Sequence, residues 1–321
     1  LAKYYFFPRE FAKRSPRLIS IGWWIEASVI RALMWVLRRL PLQAATAFAR
    51  GLFAMFGPHT QVARRVRRNL IVAFPERSDG KRRQLVREIF GNLGITLAEL
   101  AQLDRIWAER ERRFEFVASP EIEFLREKNR PAVLVTAHVS AYTLTNFVAG
   151  IYNVPLTMLY LPESNPRVRD LILRLYAALP VKLQSRDNSM RALLTALSDG
   201  HAVGLACDVR MDAGEPLPFF GHDMPANTVP ARLALRFDCE LIATRAQRLP
   251  GNRYRITMLP PVRPSDPSAS DVEQARDMTR QLNSIFEDWI RAAPGEWMCL
   301  ARRWPKDVER AAEQALRQKA V

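Results

Sequence analysis

The chain has 321 residues, 48% of them hydrophobic, and a formal net charge of +15. That is enough for one large domain or two modest ones, and it excludes a disordered or low-complexity chain. Residues 1–120 carry 22 basic and 10 acidic side chains and hold most of the excess charge; the rest of the chain is close to neutral.

A basic N-terminal third attracts nucleic-acid phosphates or an anionic lipid surface. Here the arginines alternate with Trp23, Trp24, Trp35, Phe48, Phe53 and Phe56, and no common nucleic-acid motif is present. The composition therefore points to a membrane surface and not to nucleic acid. Ile19–Leu37 and Leu42–Phe56 read as apolar helices flanked by Arg38, Arg39 and Arg50, a pattern suited to the headgroup region. Glu26 and Arg31 interrupt the first stretch and make it a poor spanning segment. It also lacks the cleavage site of a signal peptide. The alternative is an amphipathic pair covering the protein's own core.

Arg64-Arg65-Val66-Arg67-Arg68-Asn69-Leu70 reads as a helix with a solvated basic face. Pro75 ends it, and Ser78 or Asp79 caps a helix from about Lys81 to Leu103. From about Arg113 strands and helices alternate. Phe114–Val117 is a strand and Pro120–Lys128 a helix. Ala132–Ala137 is a buried strand by its continuous apolar run. Ala141–Ile151 is a helix, Pro155–Leu161 a strand, and Asn165–Leu179 a helix opened by Asn-Pro. Val181–Gln184, a helix over Ser189–Leu197 and the strand Ala202–Cys207 follow. A loop leads to the helix Val229–Phe237, the strands Glu240–Arg245 and Tyr254–Leu259, and the helices Asp271–Ala292 and Lys306–Lys319. The order implies an α/β fold, a mainly parallel sheet flanked by helices. The expected organisation is a helical, membrane-interfacial region over 1–112, an α/β domain over 113–305 and a C-terminal helix over 306–321.

Cys207, Cys239 and Cys299 have neither metal-ligand spacing nor a disulfide pattern and read as reduced thiols. No metal or organic cofactor is expected. His138 ends the Ala132–Ala137 strand, at the sheet edge where open α/β folds bind ligands, and an imidazole accepts protons at neutral pH. Asp208 ends Ala202–Cys207 on the same rim. His59, His201 and His222 lack such a setting. In the loop Gly214–Gly221, Phe219 and Phe220 form either an aromatic plug or a wall for an acyl chain, and Glu215 is the nearest further acid. Arg186, Arg191, Arg302 and Arg303 suit phosphate binding or an ordinary surface.

From about Leu18 to Pro305 these pieces together resemble the bacterial lipid A biosynthesis acyltransferase family, the late lauroyl and myristoyl transferases and their relatives. The resemblance rests on Arg68-Asn69-Leu70 with Ala73-Phe74-Pro75-Glu76 and on the strand leading to His138. It continues through Arg186-Asp187 with Met190-Arg191 and Leu197, Asp208, Pro218-Phe219-Phe220-Gly221, and Pro294-Gly295-Glu296-Trp297 with Arg302-Arg303-Trp304.

The resemblance implies a glycerolphosphate-acyltransferase-like fold at the cytoplasmic face of a bacterial inner membrane. It implies transfer of an acyl chain from acyl carrier protein, or acyl-CoA, to a hydroxyl of an anionic glycolipid. In the family's H-x4-D/E motif the histidine is the general base and the acid orients it. His138 matches the histidine, but Thr143 stands at the acid's position, and Ser140-Ala141-Tyr142 replaces the family's frequent Gly-Asn-Trp. Three expectations follow: another acid, Asp208 or Glu215, orients His138; or the chain transfers acyl groups slowly or to an unusual acceptor; or it is a catalytically impaired or inactive relative that binds lipid or a protein partner.

Overall fold

The computed structural model describes residues 16–127, 130–185 and 189–319. The first six helices are α1 (Pro16–Arg39), α2 (Leu42–Phe56), α3 (Gln61–Ala73), α4 (Asp79–Ala101), α5 (Leu103–Ala108) and α6 (Arg110–Arg113). Ser78 caps α4, accepting a hydrogen bond from the Lys81 N–H at 3.4 Å. There follow β1 (Phe114–Ala118), β2 (Ala132–Thr136), α7 (Val148–Tyr152), β3 (Leu156–Tyr160), α8 (Pro166–Tyr176), β4 (Lys182–Ser185), α9 (Ser189–Ser198) and β5 (Ala202–Ala206). The chain ends with β6 (Glu215–Phe219), β7 (His222–Ala226), α10 (Val229–Arg236), β8 (Glu240–Leu249), β9 (Arg253–Met258), α11 (Asp271–Ala292) and α12 (Lys306–Lys319).

Seven strands form one sheet in the order β1-β9-β8-β2-β5-β3-β4. Only β8 and β9 pair antiparallel, so the sheet is mainly parallel as its alternating pattern implied. β2 lies between β5 and β8, and its first four residues are buried, which is why the run is apolar without alternation. Successive β2 side chains enter opposite layers. Val133 and Val135 join a core with α4, α9, α10 and α11 residues; Ala132 and Leu134 join one with Ile106, Leu144, Phe147 and Leu156.

Several elements differ from their sequence patterns, among them the expected Pro120–Lys128 helix, which is a 3-10 segment over Pro120–Arg126. Residues 215–226 form a hairpin, not a loop. Phe219 pairs with His222 across the two-residue turn Phe220-Gly221, whose φ values are +53° and +73°. Two left-handed residues suit the twist of flanking strands. Before the expected Ala141–Ile151 helix, the Ser140 N–H is committed to Glu296 O and the Ala141 N–H to Ala246 O. The chain then makes a 3-10 segment, Tyr142–Phe147, and only a short α7. β8 runs past Arg245 to Leu249 because β9 pairs with it along that length.

The N-terminal helices lie against this body. Met34 and Leu37 of α1 pack on Ala45 and Ala49 of α2 and on Ala98 and Ala101 of α4. α1 is tied down at two points along its length. Asn165 donates to Trp23 O and to Glu26 Oε2 at 2.8 and 2.9 Å; Gln102 donates to Leu37 O at 2.7 Å, and Arg38 pairs with Asp104 at 2.8 Å. The Glu26 that interrupts the apolar stretch thus faces the protein. Ile21, Trp24, Ile25, Val29 and Trp35 face outward, joined by Phe48, Met55 and Phe56 of α2.

Arg248 on β8 fastens α4 to the sheet. Its guanidinium donates to both Glu99 oxygens at 2.8 Å and to Thr96 Oγ1 at 2.8 Å, with the Arg248 and Glu99 side chains 12% and 4% exposed. Removing one partner of such a pair strands the other charge. We expect Arg248→Met to lose about 3–5 kcal/mol of stability, read as a lower urea midpoint. Arg126→Met, which breaks the exposed Glu123 pair and a contact with the Tyr152 ring, should lose only about 1 kcal/mol.

Candidate active site

The register of the central strands builds the site. Thr136 of β2 pairs with Ala206 of β5, and the Cys207 N–H donates to Thr136 O at 2.9 Å. Two residues further along each chain, His138 and Asp208 therefore stand side by side at the C-terminal rim. The His138 backbone N–H donates to Asp208 Oδ1 at 3.0 Å, and His138 Nδ1 lies 2.6 Å from the same oxygen. A carboxylate only accepts, so Nδ1 carries the proton and Nε2 is left as the acceptor.

Asp208 is fully buried, and its other oxygen is equally engaged. Trp297 Nε1 donates to Oδ2 at 3.1 Å and Arg303 Nη2 at 3.0 Å. Burial by itself would raise the Asp208 pKa. Facing His138 and Arg303, and hydrogen-bonded by His138, the carboxyl is held well below the usual carboxylate range. Arg303 is 1% exposed and is placed by Asn69, whose Oδ1 accepts from Arg303 N at 3.2 Å and whose Nδ2 donates to Cys299 O and Ala301 O at 2.8 Å. The Arg68-Asn69-Leu70 motif thus braces the segment that supplies Arg303.

The segment 138–140 is pinned from a second direction. Met298 N–H donates to His138 O at 2.8 Å, and Val139 bridges Trp297. Ser140 has φ +55°, and its Oγ accepts from Arg248 N–H at 3.1 Å.

The imidazole itself is 27% exposed and opens on a pocket of about 270 Å³. The pocket lies on the sheet face that carries Leu134, Thr136, Gly204 and Met158, under the Tyr142–Phe147 segment and beside Ile172 and Tyr176 of α8. Tyr142 stacks obliquely on His138, ring centroids 4.8 Å apart. Burial raises its phenol pKa, so it stays protonated. Thr143 is buried in the pocket lining beside Asn146, which donates to Thr143 O at 2.9 Å.

The other candidate residues lie elsewhere. Glu215 is paired with Arg232 and Arg276 at 2.5 and 3.2 Å, outside the pocket lining. Phe219 and Phe220 are buried with Phe74, Trp297 and Trp304 in an aromatic cluster behind Asp208, again outside the lining. Arg302 pairs with Glu309 at 2.9 Å. Arg191 borders a separate cleft with Lys182 and His201. Arg186 lies outside the described residues. The arginine aimed at the site, Arg303, meets a carboxylate and not open solvent. Cys207 and Cys299 are buried, and burial pushes both thiols up, Cys299 to about 12. Among the described residues no group of His, Cys, Asp and Glu side chains could hold a metal ion.

Trp297 and Arg303 are the contacts that single-residue reasoning assigned no role beside His138. Their signal was present in the spacing Trp297…Arg302-Arg303-Trp304, but only the fold shows that it converges on Asp208.

A mainly parallel α/β sheet holds a carboxylate-bound imidazole at a pocket of mixed lining, in which Leu134, Leu156 and Ile172 stand with Thr143, Asn146 and Arg169. The chain belongs to the bacterial lipid A biosynthesis acyltransferase family, whose model matches residues 11–306. It is 26% identical over 302 residues to the lipid A biosynthesis lauroyltransferase of Escherichia coli (strain K12), covering 91% of this chain and 95% of that protein. It is 24% identical to the lipid A biosynthesis palmitoleoyltransferase of the same strain, covering 85% and 88%. A lipid A biosynthesis acyltransferase of Haemophilus influenzae (strain ATCC 51907 / DSM 11121 / KW20 / Rd) is 22% identical, covering 76% and 77%.

Asp208→Asn removes the charge that balances Arg303 and turns one of the two acceptor oxygens into a donor facing N–H groups. We expect stability to fall by about 3–5 kcal/mol. The folded pKa is depressed, so the ionised carboxylate stabilises the fold above its unfolded pKa of about 3.9 and this is lost as pH falls through the folded value. The contribution of the Asp208 charge should disappear only under strong acidification, as followed by denaturation of wild type and variant at several acidic pH values.

Proposed function

We propose that this protein transfers a fatty acyl chain from an acyl carrier protein thioester, or acyl-CoA, to a hydroxyl of a lipid A precursor, with His138 as general base. The His138–Asp208 contact carries the reading. The acceptor hydroxyl gives its proton to His138 Nε2 while its oxygen attacks the thioester carbonyl carbon. Collapse of the tetrahedral adduct breaks the C–S bond, and the imidazolium returns the proton to the leaving thiolate. Asp208 holds the ring in the Nδ1–H form and stabilises the imidazolium, as the buried acid of a serine-protease triad does.

Asp208 here does the work that the family motif assigns to the acid at the position of Thr143. Thr143 instead forms part of the pocket wall, which supports reading it as a contact for the bound chain. The impaired-relative alternative rested on the missing acid, and the site has a buried carboxylate on the imidazole.

The proposed location is the cytoplasmic face of a bacterial inner membrane. By length and composition Ile19–Arg39 could cross a bilayer, but α1 is fastened to the body near Trp23 and again near Leu37. Its outward aromatic and aliphatic face, continued by α2, suits a helix lying in one leaflet. Residues 1–112 then seat the α/β domain on the lipid that carries its acceptor.

His138→Ala should lower transfer of labelled acyl chain by about 10²–10⁴-fold without loss of fold; unchanged turnover would sink the mechanism. Thr143→Glu should bring no gain, because the imidazole already has its carboxylate. In anionic vesicles the Trp24 and Trp35 fluorescence should be quenched by lipids brominated near the headgroup. Strongest quenching from the bilayer centre would mean that α1 spans.

A further inference from the structure

The backbone N–H groups that follow the imidazole are all engaged. That of His138 goes to Asp208 Oδ1, that of Val139 to Ala137 O at 2.7 Å, that of Ser140 to Glu296 O and that of Ala141 to Ala246 O. The Trp297 indole and the Arg303 guanidinium end on Asp208 as well. Three polar side chains of the pocket lining are also committed: Thr136 donates to Ala137 O at 3.4 Å, Thr145 to Tyr142 O at 2.7 Å and Asn146 to Thr143 O at 2.9 Å. Attack on a thioester carbonyl places negative charge on its oxygen, and that charge is best met by a donor fixed beforehand. Residues 138–141 have no backbone donor left for it.

Tyr142 has a side-chain donor. It lines the pocket, and its ring centroid stands 4.8 Å from that of the imidazole at an interplanar angle of 54°. A phenol so placed borders the same space as His138 Nε2. It is absent from the contacts on Asp208. Burial keeps it protonated, the Thr143 side chain lies against it, and the Asp208 charge further disfavours its ionisation. Its backbone is held on both sides, by the Ala141 N–H on β8 and by Thr145 Oγ1 on the Tyr142 carbonyl.

We infer that Tyr142 is a catalytic residue whose O–H donates to the oxyanion of the tetrahedral adduct, and that Thr143 is the positioning residue that aims it. The inference rests on the acyl-transfer reading. As the acceptor oxygen bonds to the carbonyl carbon, the π pair moves onto the carbonyl oxygen, and the phenol donates to it without losing its proton. When the C–S bond breaks, that pair returns to the carbonyl and the thiolate takes the imidazolium proton. Both residues depart from the family motif, and the inference gives the two departures one cause. With Asp208 on the imidazole, position 143 is open to a hydroxyl. A carboxylate there would accept from the phenol itself and turn its proton away from the substrate.

The test uses the full chain in neutral detergent, with lauroyl-CoA as donor and a tetraacylated lipid A precursor as acceptor. A trifluoromethyl ketone analogue of lauroyl-CoA, whose hydrate carries a tetrahedral carbon, serves as a binding probe. Tyr142→Phe keeps the ring beside His138 and removes only the O–H. It should lower kcat by about 10²–10³-fold with KM little changed. The analogue should lose affinity by a similar factor while lauroyl-CoA binds as before, and the denaturation midpoint should stay in place. Thr143→Val should lower kcat by about tenfold, the worth of one hydrogen bond, and Thr143→Ser should restore it. Unchanged kcat in Tyr142→Phe overturns the inference. So does a loss confined to KM and to lauroyl-CoA binding, which would make the phenol a ground-state contact. Wild-type kcat in Thr143→Val removes Thr143 from the arrangement. If His138→Ala abolishes transfer while Tyr142→Phe matches wild type, the general base stands and the inference falls. If His138→Ala transfers as wild type does, the general base falls, and a selective loss of the analogue in Tyr142→Phe still places the phenol at the oxyanion.

Discussion

Everything at the active rim depends on one buried carboxylate. Asp208 has no exposed surface, and its two oxygens receive four N–H contacts: the His138 backbone and ring, the Trp297 indole and the Arg303 guanidinium. An isolated charge in such a place would be neutralised or expelled. Satisfied in this way, it becomes the point from which the imidazole takes its tautomer and direction. Arg303 supplies the compensating charge, and Asn69 supplies the position of Arg303. The basic and aromatic C-terminal segment is therefore part of the histidine's support.

The departures from the family pattern around His138 have a physical reading in the same terms. Ser140 sits at φ +55°, a conformation that glycine adopts at no steric cost. Serine is held there by two hydrogen bonds, from its own N–H to Glu296 O and into its Oγ from Arg248 N–H. Arg248 in turn is the residue that binds Glu99 and so joins α4 to β8. The strained corner after the histidine is thus tied both to the N-terminal helices and to the C-terminal turn.

Much of the sheet was legible in the chain because buried parallel strands are continuous apolar runs. Ala132–Thr136 and Ala202–Ala206 differ from their expected bounds by a single residue. The same reading put His138 and Asp208 on one rim. It did not choose between Asp208 and Glu215, because that choice depends on register: β2 and β5 are neighbours in step, whereas Glu215 leads a hairpin packed on α11. The hairpin was hidden by two prolines in β6 and one in β7, and by a turn with phenylalanine at a left-handed position. Arg303 read as a phosphate ligand because a sequence shows the charge of a side chain and not what stands opposite it. The pocket was illegible for a related reason: β2, β3, β5, β8 and α8 each give it only a few residues.

The contacts around Asp208 come from distant parts of the chain, from Asn69 through His138 to Trp297 and Arg303. During synthesis, β2 and β5 emerge long before the arginine that balances the carboxylate. Until that arginine arrives, burying Asp208 leaves its charge without its guanidinium counterpart. The histidine is therefore oriented late, when the final turns close over the sheet. Loss of the last few dozen residues would spare the order of the strands yet leave the base without its frame.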